Sequence, residues 1–147
     1  MGSTLYFAYG ANISRDHMAK ACPGSQFQGC AALSDMELII NEWGWATVVH
    51  SPGEVVHGAL WTLTADCEAV LDTQENVGEG FYTKQCMVVV DANGQNQEVM
   101  VYVAACSEPG VPNPGYLESI VSWAESWGFP KHYREKLICM QTYLKGE

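Results

Sequence analysis

Glu75 is the side chain in this sequence best suited to moving a proton. It lies in the segment Leu71 to Val77, at the C-terminal end of a helix that Thr64 can cap. Because that end of a helix carries partial negative charge, it disfavours a carboxylate and raises the pKa of the carboxyl towards neutrality. Such a carboxyl is suited to general acid–base catalysis near neutral pH. Glu79 is the competing acid, but glycines flank it on a loop and we expect it to be solvated.

A second candidate element is the stretch Leu5 to Asn12, with the sequence LYFAYGAN. Its apolar, aromatic start is typical of a buried strand, and its glycine and asparagine are typical of a tight turn. Such a loop can hold backbone N–H groups over a pocket, where they bind an anion or a developing oxyanion. The same pattern also fits a buried strand and turn without any chemical role.

Tyrosines and histidines supply the remaining candidates. Tyr82 and Tyr116 carry hydroxyl groups that need polar partners if they are buried. His50 and His57 have no Cys, Asp or second His at metal-ligand spacing, so we interpret them as packing residues. No serine lies in a nucleophile elbow, and no glycine-rich loop precedes a Lys-Ser or Lys-Thr pair. Hydrolase and nucleotide-binding functions therefore lack support.

Strands are predicted at several places that could position these side chains. Asn93-Gly94 separates the last two and is the strongest short-range signal of a β-hairpin. Ser51-Pro52-Gly53 predicts a turn between two strands, and in the second of these Trp61 faces away from Val56. The predicted strands are residues 4–8, 28–40 (bent or split), 46–50, 55–63, 81–91 and 97–105.

Helices are predicted from capping residues and apolar spacing. Ser14 caps the first and Thr64 the second, whose apolar side consists of Cys67, Val70 and Leu71. A third ends at Gly128, and Pro130 starts the last. Because strands outnumber helices and include hairpins, we predict an α+β fold with an antiparallel or mixed, strongly curved sheet.

Composition limits the classes of partner. The 147 residues suit a single domain over 1–147. Seven basic and seventeen acidic residues give a net charge of −10, so we expect no binding to nucleic acid or membrane. The six cysteines form no CxxC pair and have no His at ligand spacing, which argues against zinc. Without signal-peptide features at the N-terminus, we expect free cysteines and a cytoplasmic location.

The opening YFAYGAN resembles the YFAYGSN signature of the γ-glutamylcyclotransferases. The likeness continues through SPGEVVHGALW, through LDTQENVGEGFY, which is similar to the family's LDEQEGV and Gly-x-Tyr, and through Pro114-Gly115-Tyr116. It extends into the last helix, where Phe129-Pro130, Tyr133 and Glu135-Lys136-Leu137 resemble the family's Leu-Pro and Tyr-x-Glu-Lys-Leu. The likeness covers nearly the whole chain, with the motifs in the family's order.

This resemblance implies a small barrel-like mixed sheet with flanking helices. It also implies an enzyme that converts a small-molecule γ-glutamyl compound to 5-oxoproline, releases an amine or amino acid, and needs no metal or organic cofactor. Glu75 matches the family's general acid/base. The residues that match its substrate-binding positions are Tyr6, Phe7, Ala8, Tyr9, Gly10, Ala11, Asn12, Tyr82 and Tyr116.

The implied chemistry agrees with the residues. The substrate's own α-amine attacks its γ-carbonyl, so the enzyme needs no nucleophilic serine or cysteine, and binding supplies proximity. Glu75 can accept a proton from the α-ammonium and pass it to the departing amine. The N–H groups of residues 9–12 can bind the substrate's α-carboxylate or the oxyanion without a basic side chain.

Departures from the family pattern leave alternatives open. Ala11 stands where the family usually has serine, and Asn76 replaces a glycine beside the catalytic position. One alternative is a non-catalytic domain that binds γ-glutamyl ligands; another is a cyclotransferase for a γ-glutamyl biosynthetic intermediate or γ-glutamyl-lysine. A homodimer also stays open, since Trp43, Trp45 and Trp123 can cover either a core or an interface.

Overall fold

Five strands close into a barrel in the computed structural model, which describes the backbone of residues 3–145 and the side chains of residues 3–140. The strands are β1 (Thr4–Ala8), β2 (Gln26–Ile40), β3 (Ala46–Leu63), β4 (Tyr82–Asp91) and β5 (Asn96–Ala104). Around the barrel the order is β1, β3, β2, β4, β5, and β5 pairs again with β1. The β1–β5 pairing is parallel and the others are antiparallel. The structure therefore confirms the α+β class with a mixed, barrel-like sheet.

Four helices flank the barrel: α1 (Arg15–Ala21), α2 (Ala65–Gln74), α3 (Tyr116–Ser126) and α4 (Lys131–Lys145). Both predicted N-caps are confirmed, because Ser14 Oγ accepts the N–H of His17 at 3.0 Å and Thr64 Oγ1 accepts that of Cys67 at 3.1 Å. Gly128 has a φ of 69° just beyond α3, a left-handed conformation that glycine adopts without strain. Within residues 3–145, no helix is long and apolar enough to cross a bilayer.

The predicted turn at 51–53 does not divide the strand, because β3 continues through these residues as one element, but residues 51–54 have no partner in its ladder with β2. Its ladder with β2 shifts register instead: Ser34 pairs with Val55, whereas Met36 pairs with His50. Asp35, with a φ of 62°, accepts the N–H of Gly53 through Oδ1 at 3.0 Å. The irregularity therefore accommodates Pro-Gly within a long, bent strand pair.

Both faces of β3 are covered, so Trp61 is buried like Val56 on the opposite face. The Trp61 ring packs against Phe27 with centroids 5.4 Å apart, and its Nε1 donates to the carbonyl of Asn12 at 3.1 Å. The predicted apolar side of α2 is wrong in one position, because Val70 is exposed. The other two predicted positions, Cys67 and Leu71, are buried as expected, which fixes the orientation of the helix on the barrel.

Candidate active site

A cavity of about 510 Å³ lies at the end of the barrel where β1 finishes and β4 begins. The segment between β2 and β3 and the C-terminal end of α2 also border it. The structure brings together most of the residues proposed for the site from the sequence. Those that line the cavity are Tyr6, Tyr9, Gly10, Ala11, Asn12, Glu75, Tyr82 and Tyr116.

Phe7 and Ala8, also proposed as substrate-binding residues, do not line the cavity and are buried in the core. A Cβ added to Gly58 of β3 would lie 2.8 Å from the Phe7 ring and 2.3 Å from the Ala8 carbonyl oxygen. Side chains alternate across a strand, so a run of consecutive residues cannot all face one pocket. These two residues hold β1 against β3.

Glu75 follows α2 directly and lines the cavity, with its N–H bonded to the carbonyl of Leu71 at 2.9 Å. Burial raises the pKa of its carboxyl from 4.5 to about 7. Burial causes this shift, because a charged carboxylate loses hydration there. Glu79 is exposed and does not line the cavity.

Asn76 turns the chain away from α2 immediately after Glu75. Its φ of 53° and ψ of 45° are left-handed, a conformation that asparagine tolerates better than most residues. Its carbonyl oxygen accepts the N–H groups of Glu79 and Phe81, each at 3.2 Å. Asparagine therefore suits the left-handed position that follows Glu75.

A chain of side-chain hydrogen bonds joins the loop after β1 to the end of α2. Asn12 Nδ2 donates to Tyr6 Oη at 2.8 Å, and Gln74 Nε2 donates to Asn12 Oδ1 at 3.2 Å. Gln74 Oε1 lies 3.0 Å from Nε2 of His17. Because Gln74 precedes Glu75, this chain fixes the acid relative to the loop.

The tyrosines in the cavity use backbone partners. Tyr82 Oη donates to the Ala46 carbonyl at 2.9 Å, and the N–H of Ala46 donates to Tyr116 Oη at 3.2 Å. Burial raises the pKa of Tyr116 to about 12 and that of Tyr82 well above its usual range. Both hydroxyls therefore stay neutral and protonated. A Cβ on Gly10 would lie 2.7 Å from Tyr116 Oη, so only glycine permits this approach.

Polar contacts also anchor α2 on the barrel. Lys84 Nζ lies 2.6 Å from Glu68 Oε2 and 3.0 Å from Asp72 Oδ2. Tyr102 Oη donates to the other oxygen of Asp72 at 2.7 Å, and Thr4 Oγ1 donates to Glu68 at 2.6 Å. These contacts connect α2 with β1, β4 and β5, and so position the helix that presents Glu75.

Several cavity residues were not proposed from the sequence. Trp43 and Trp45 had a weak signal, since they belong to an aromatic surplus, and Gln74, Asn76 and Phe81 are sequence neighbours of Glu75 and Tyr82. The others come from segments that only the assembled fold brings together. These residues are His17, Trp43, Trp45, Ala46, Gln74, Asn76, Phe81 and Tyr102.

The two strand histidines do not line the cavity. His50 is exposed, and the His57 ring packs against Tyr133 with the ring centroids 4.8 Å apart. Across residues 3–145, no group of His, Cys, Asp or Glu is arranged to hold a metal ion.

Known proteins resemble this chain over most of its length. The family model described as AIG2-like matches residues 55–137. The mouse and human proteins named gamma-glutamylcyclotransferase are each 32% identical to it, covering 93% and 95% of this chain and 78% and 79% of their own. A solved structure of a gamma-glutamyl cyclotransferase superposes with a TM-score of 0.85 at 27% identity, covering 99% of both chains. The chain therefore belongs to the AIG2-like family and, within it, to the γ-glutamylcyclotransferase-like proteins.

Proposed function

We propose that this enzyme forms 5-oxoproline from a γ-glutamyl compound and releases an amine or amino acid, with Glu75 as general acid/base. One observation carries the role of Glu75: a carboxyl with a pKa of about 7 shares a cavity with a glycine loop and neutral tyrosines. A group that titrates near the working pH both accepts and returns a proton efficiently. No nucleophilic side chain is required, because the substrate brings its own amine.

Glu75 accepts and returns each proton that the reaction moves. Its carboxylate takes a proton from the substrate's α-ammonium, and the free amine attacks the γ-carbonyl carbon to form the C–N bond of the five-membered lactam. Glu75 then gives this proton to the leaving nitrogen as its C–N bond to the γ-carbon breaks. The attacking nitrogen loses its second proton to the regenerated carboxylate, which releases it to solvent.

The loop after β1 is suited to binding a negatively charged group of the substrate or of the reaction intermediate. Within residues 3–145, no protein group accepts the N–H of Gly10, which lines the cavity. We infer that this N–H binds the substrate's α-carboxylate or the oxyanion that forms on the γ-carbonyl oxygen. Binding by the backbone is compatible with alanine at position 11, because a side-chain hydroxyl there is then not the essential donor.

The test compares wild type, Glu75→Gln and Glu79→Gln for 5-oxoproline release from a panel of γ-glutamyl amino acids and amines. The panel includes a γ-glutamyl-modified lysine side chain. Removal of a general acid/base lowers kcat/KM by roughly 10² to 10⁴-fold, which we expect for Glu75→Gln. Glu79→Gln removes the same charge outside the cavity and is expected to keep full activity.

Full activity of Glu75→Gln would show that another group moves the protons. If wild type releases no product from any compound but binds γ-glutamyl ligands by calorimetry, the protein is a binding domain and the proposed reaction is wrong.

A further inference from the structure

Three aromatic side chains line the cavity while remaining open to solvent: Trp43 is 38% exposed, and Trp45 and Phe81 are each 44% exposed. We call these residues the aromatic rim. The ring centroids of Trp43 and Phe81 are 5.2 Å apart, and the Trp45 ring stands edge-on to Tyr116 at 5.0 Å. Tyr6 and Tyr9, in contrast, are buried at the inner side of the cavity. The cavity thus has a polar, buried part and an apolar, open part.

Hydrogen bonds anchor the backbone that carries Trp43 and Trp45. Asn41 is fully buried, and its Oδ1 accepts the N–H groups of Trp43 and Trp45 at 3.0 and 3.4 Å. Its Nδ2 donates to the Cys106 carbonyl at 3.0 Å, and Asn113 Nδ2 donates to the Trp43 carbonyl at 3.1 Å. Exposed aromatic rings fixed in this way offer apolar contact area without the entropy cost of ordering a loop. They mark a binding surface rather than incidental exposure.

The charges around the cavity define which group can lie against the aromatic rim. Among the described residues, no lysine, arginine or aspartate lines it, and Glu75 is its sole carboxylate. Lys84 is paired with acids on α2, and Lys136 with Glu37 and Glu54, away from the cavity. A carboxylate on the leaving group would meet no lysine or arginine, and the His17 imidazole, which also lines the cavity, already contacts Gln74 Oε1 through Nε2 at 3.0 Å. An ammonium would compete for the carboxylate that must move protons. Unpaired charges are costly to desolvate, so a neutral group fits best.

We propose that the aromatic rim binds the leaving part of the substrate, and that the preferred substrates are γ-glutamyl amides of neutral arylalkyl amines. This inference rests on the proposed function, because it assigns the outer half of the same site. The γ-glutamyl group occupies the buried polar part beside Glu75 and Gly10. The aryl group of the leaving amine then packs against the exposed faces of Trp43, Trp45 and Phe81.

The test measures kcat/KM for 5-oxoproline formation from γ-glutamyl-phenethylamide, γ-glutamyl-ethylamide, γ-glutamyl-phenylalanine and γ-glutamyl-cadaverine. Burial of an aryl ring should favour the phenethylamide over the ethylamide by roughly 10 to 100-fold. The compounds with a carboxylate or an ammonium should fall below the phenethylamide. Trp45→Ala and Phe81→Ala should lower the phenethylamide-to-ethylamide ratio towards one. Val88→Ala, 53% exposed on β4 and outside the cavity, should leave that ratio unchanged.

The inference is overturned if wild type turns over the ethylamide as well as the phenethylamide, or prefers γ-glutamyl-phenylalanine or γ-glutamyl-cadaverine. It is also overturned if Trp45→Ala keeps the ratio but changes the oligomeric state in size-exclusion chromatography, since the rim would then be a subunit contact. Absence of product from all four compounds, and from the γ-glutamyl amino acids and amines of the panel above, would refute the proposed function instead. In that case calorimetry decides: tighter binding of the phenethylamide supports the rim subsite, and equal affinities refute it.

Discussion

Glu75→Gln should stabilise the folded protein at pH 8 even as it removes activity. Burial raises the pKa of this carboxyl from 4.5 to about 7 in the folded state, because the charged form is poorly hydrated there. A pKa difference of this size between the folded and unfolded states corresponds to about 3 kcal/mol. Glutamine has nearly the same shape and carries no charge, so the substitution relieves that cost.

The sign of the effect follows from proton binding. Below pH 4.5 the carboxyl is protonated in both states and contributes nothing to the pH dependence. Between pH 4.5 and 7 the unfolded chain loses its proton first, so the free energy of unfolding falls as pH rises. Above pH 7 the carboxylate is charged in the folded protein as well, so its burial lowers the free energy of unfolding by the full amount. Glu75→Gln should therefore increase the free energy of unfolding by about 3 kcal/mol at pH 8 and by about 1 kcal/mol at pH 5.

Urea unfolding followed by tryptophan fluorescence at pH 5 and pH 8 measures this gain. Glu79→Gln is the matched control, because it makes the same change in net charge at an exposed position and should change stability by less than about 0.5 kcal/mol. Equal effects of the two substitutions at pH 8 would show that reduced net charge, and not relief of a buried carboxylate, is responsible. A gain for Glu75→Gln that does not diminish at pH 5 would contradict the titration of Glu75.

Two further predictions concern activity. In wild type, kcat/KM should rise with pH and level off above about pH 7, since Glu75 must be a carboxylate to accept the first proton; a flat profile from pH 5 to 8 would contradict this. Gly10→Ala should lower kcat/KM at least roughly tenfold, because its Cβ would lie 2.7 Å from Tyr116 Oη and displace that hydroxyl. Gly78→Ala, which meets nothing within 4 Å, is the control, and comparable losses in both variants would argue against a specific role for Gly10.

Local features of the fold could be predicted because each is encoded within a few residues. The N-caps at Ser14 and Thr64 and the hairpin at Asn93-Gly94 all depend on neighbouring positions, and the structure confirms them. Glu75 could be placed at a helix end for the same reason. The predicted break at 51–53 is a register shift within one strand and not a turn between two strands, because Asp35 of β2 and the unpaired residues 51–54 of β3 accommodate Pro-Gly in the ladder.

Features that depend on contacts distant in sequence could not be predicted from the residues alone. The parallel pairing of β1 with β5 leaves no turn signal, yet it brings the Tyr102 carbonyl within 2.7 Å of Tyr9 Oη. The chain of hydrogen bonds through Asn12 and Gln74 likewise joins positions 62 residues apart. Burial of the carboxyl, which sets the pKa of Glu75, is itself a product of the assembled cavity.

The pairing of the first strand with the last has a consequence for the order of events during synthesis. Tyr6 of β1 pairs with Met100 of β5, so a ribosome releases the loop at Gly10 long before the strand that completes its surroundings. The long β2–β3 hairpin and the start of α2 emerge in the interval and can begin to order, but the barrel stays open. Assembly of the cavity is therefore a late step, and 5-oxoproline formation by a nascent chain would report that the barrel has closed.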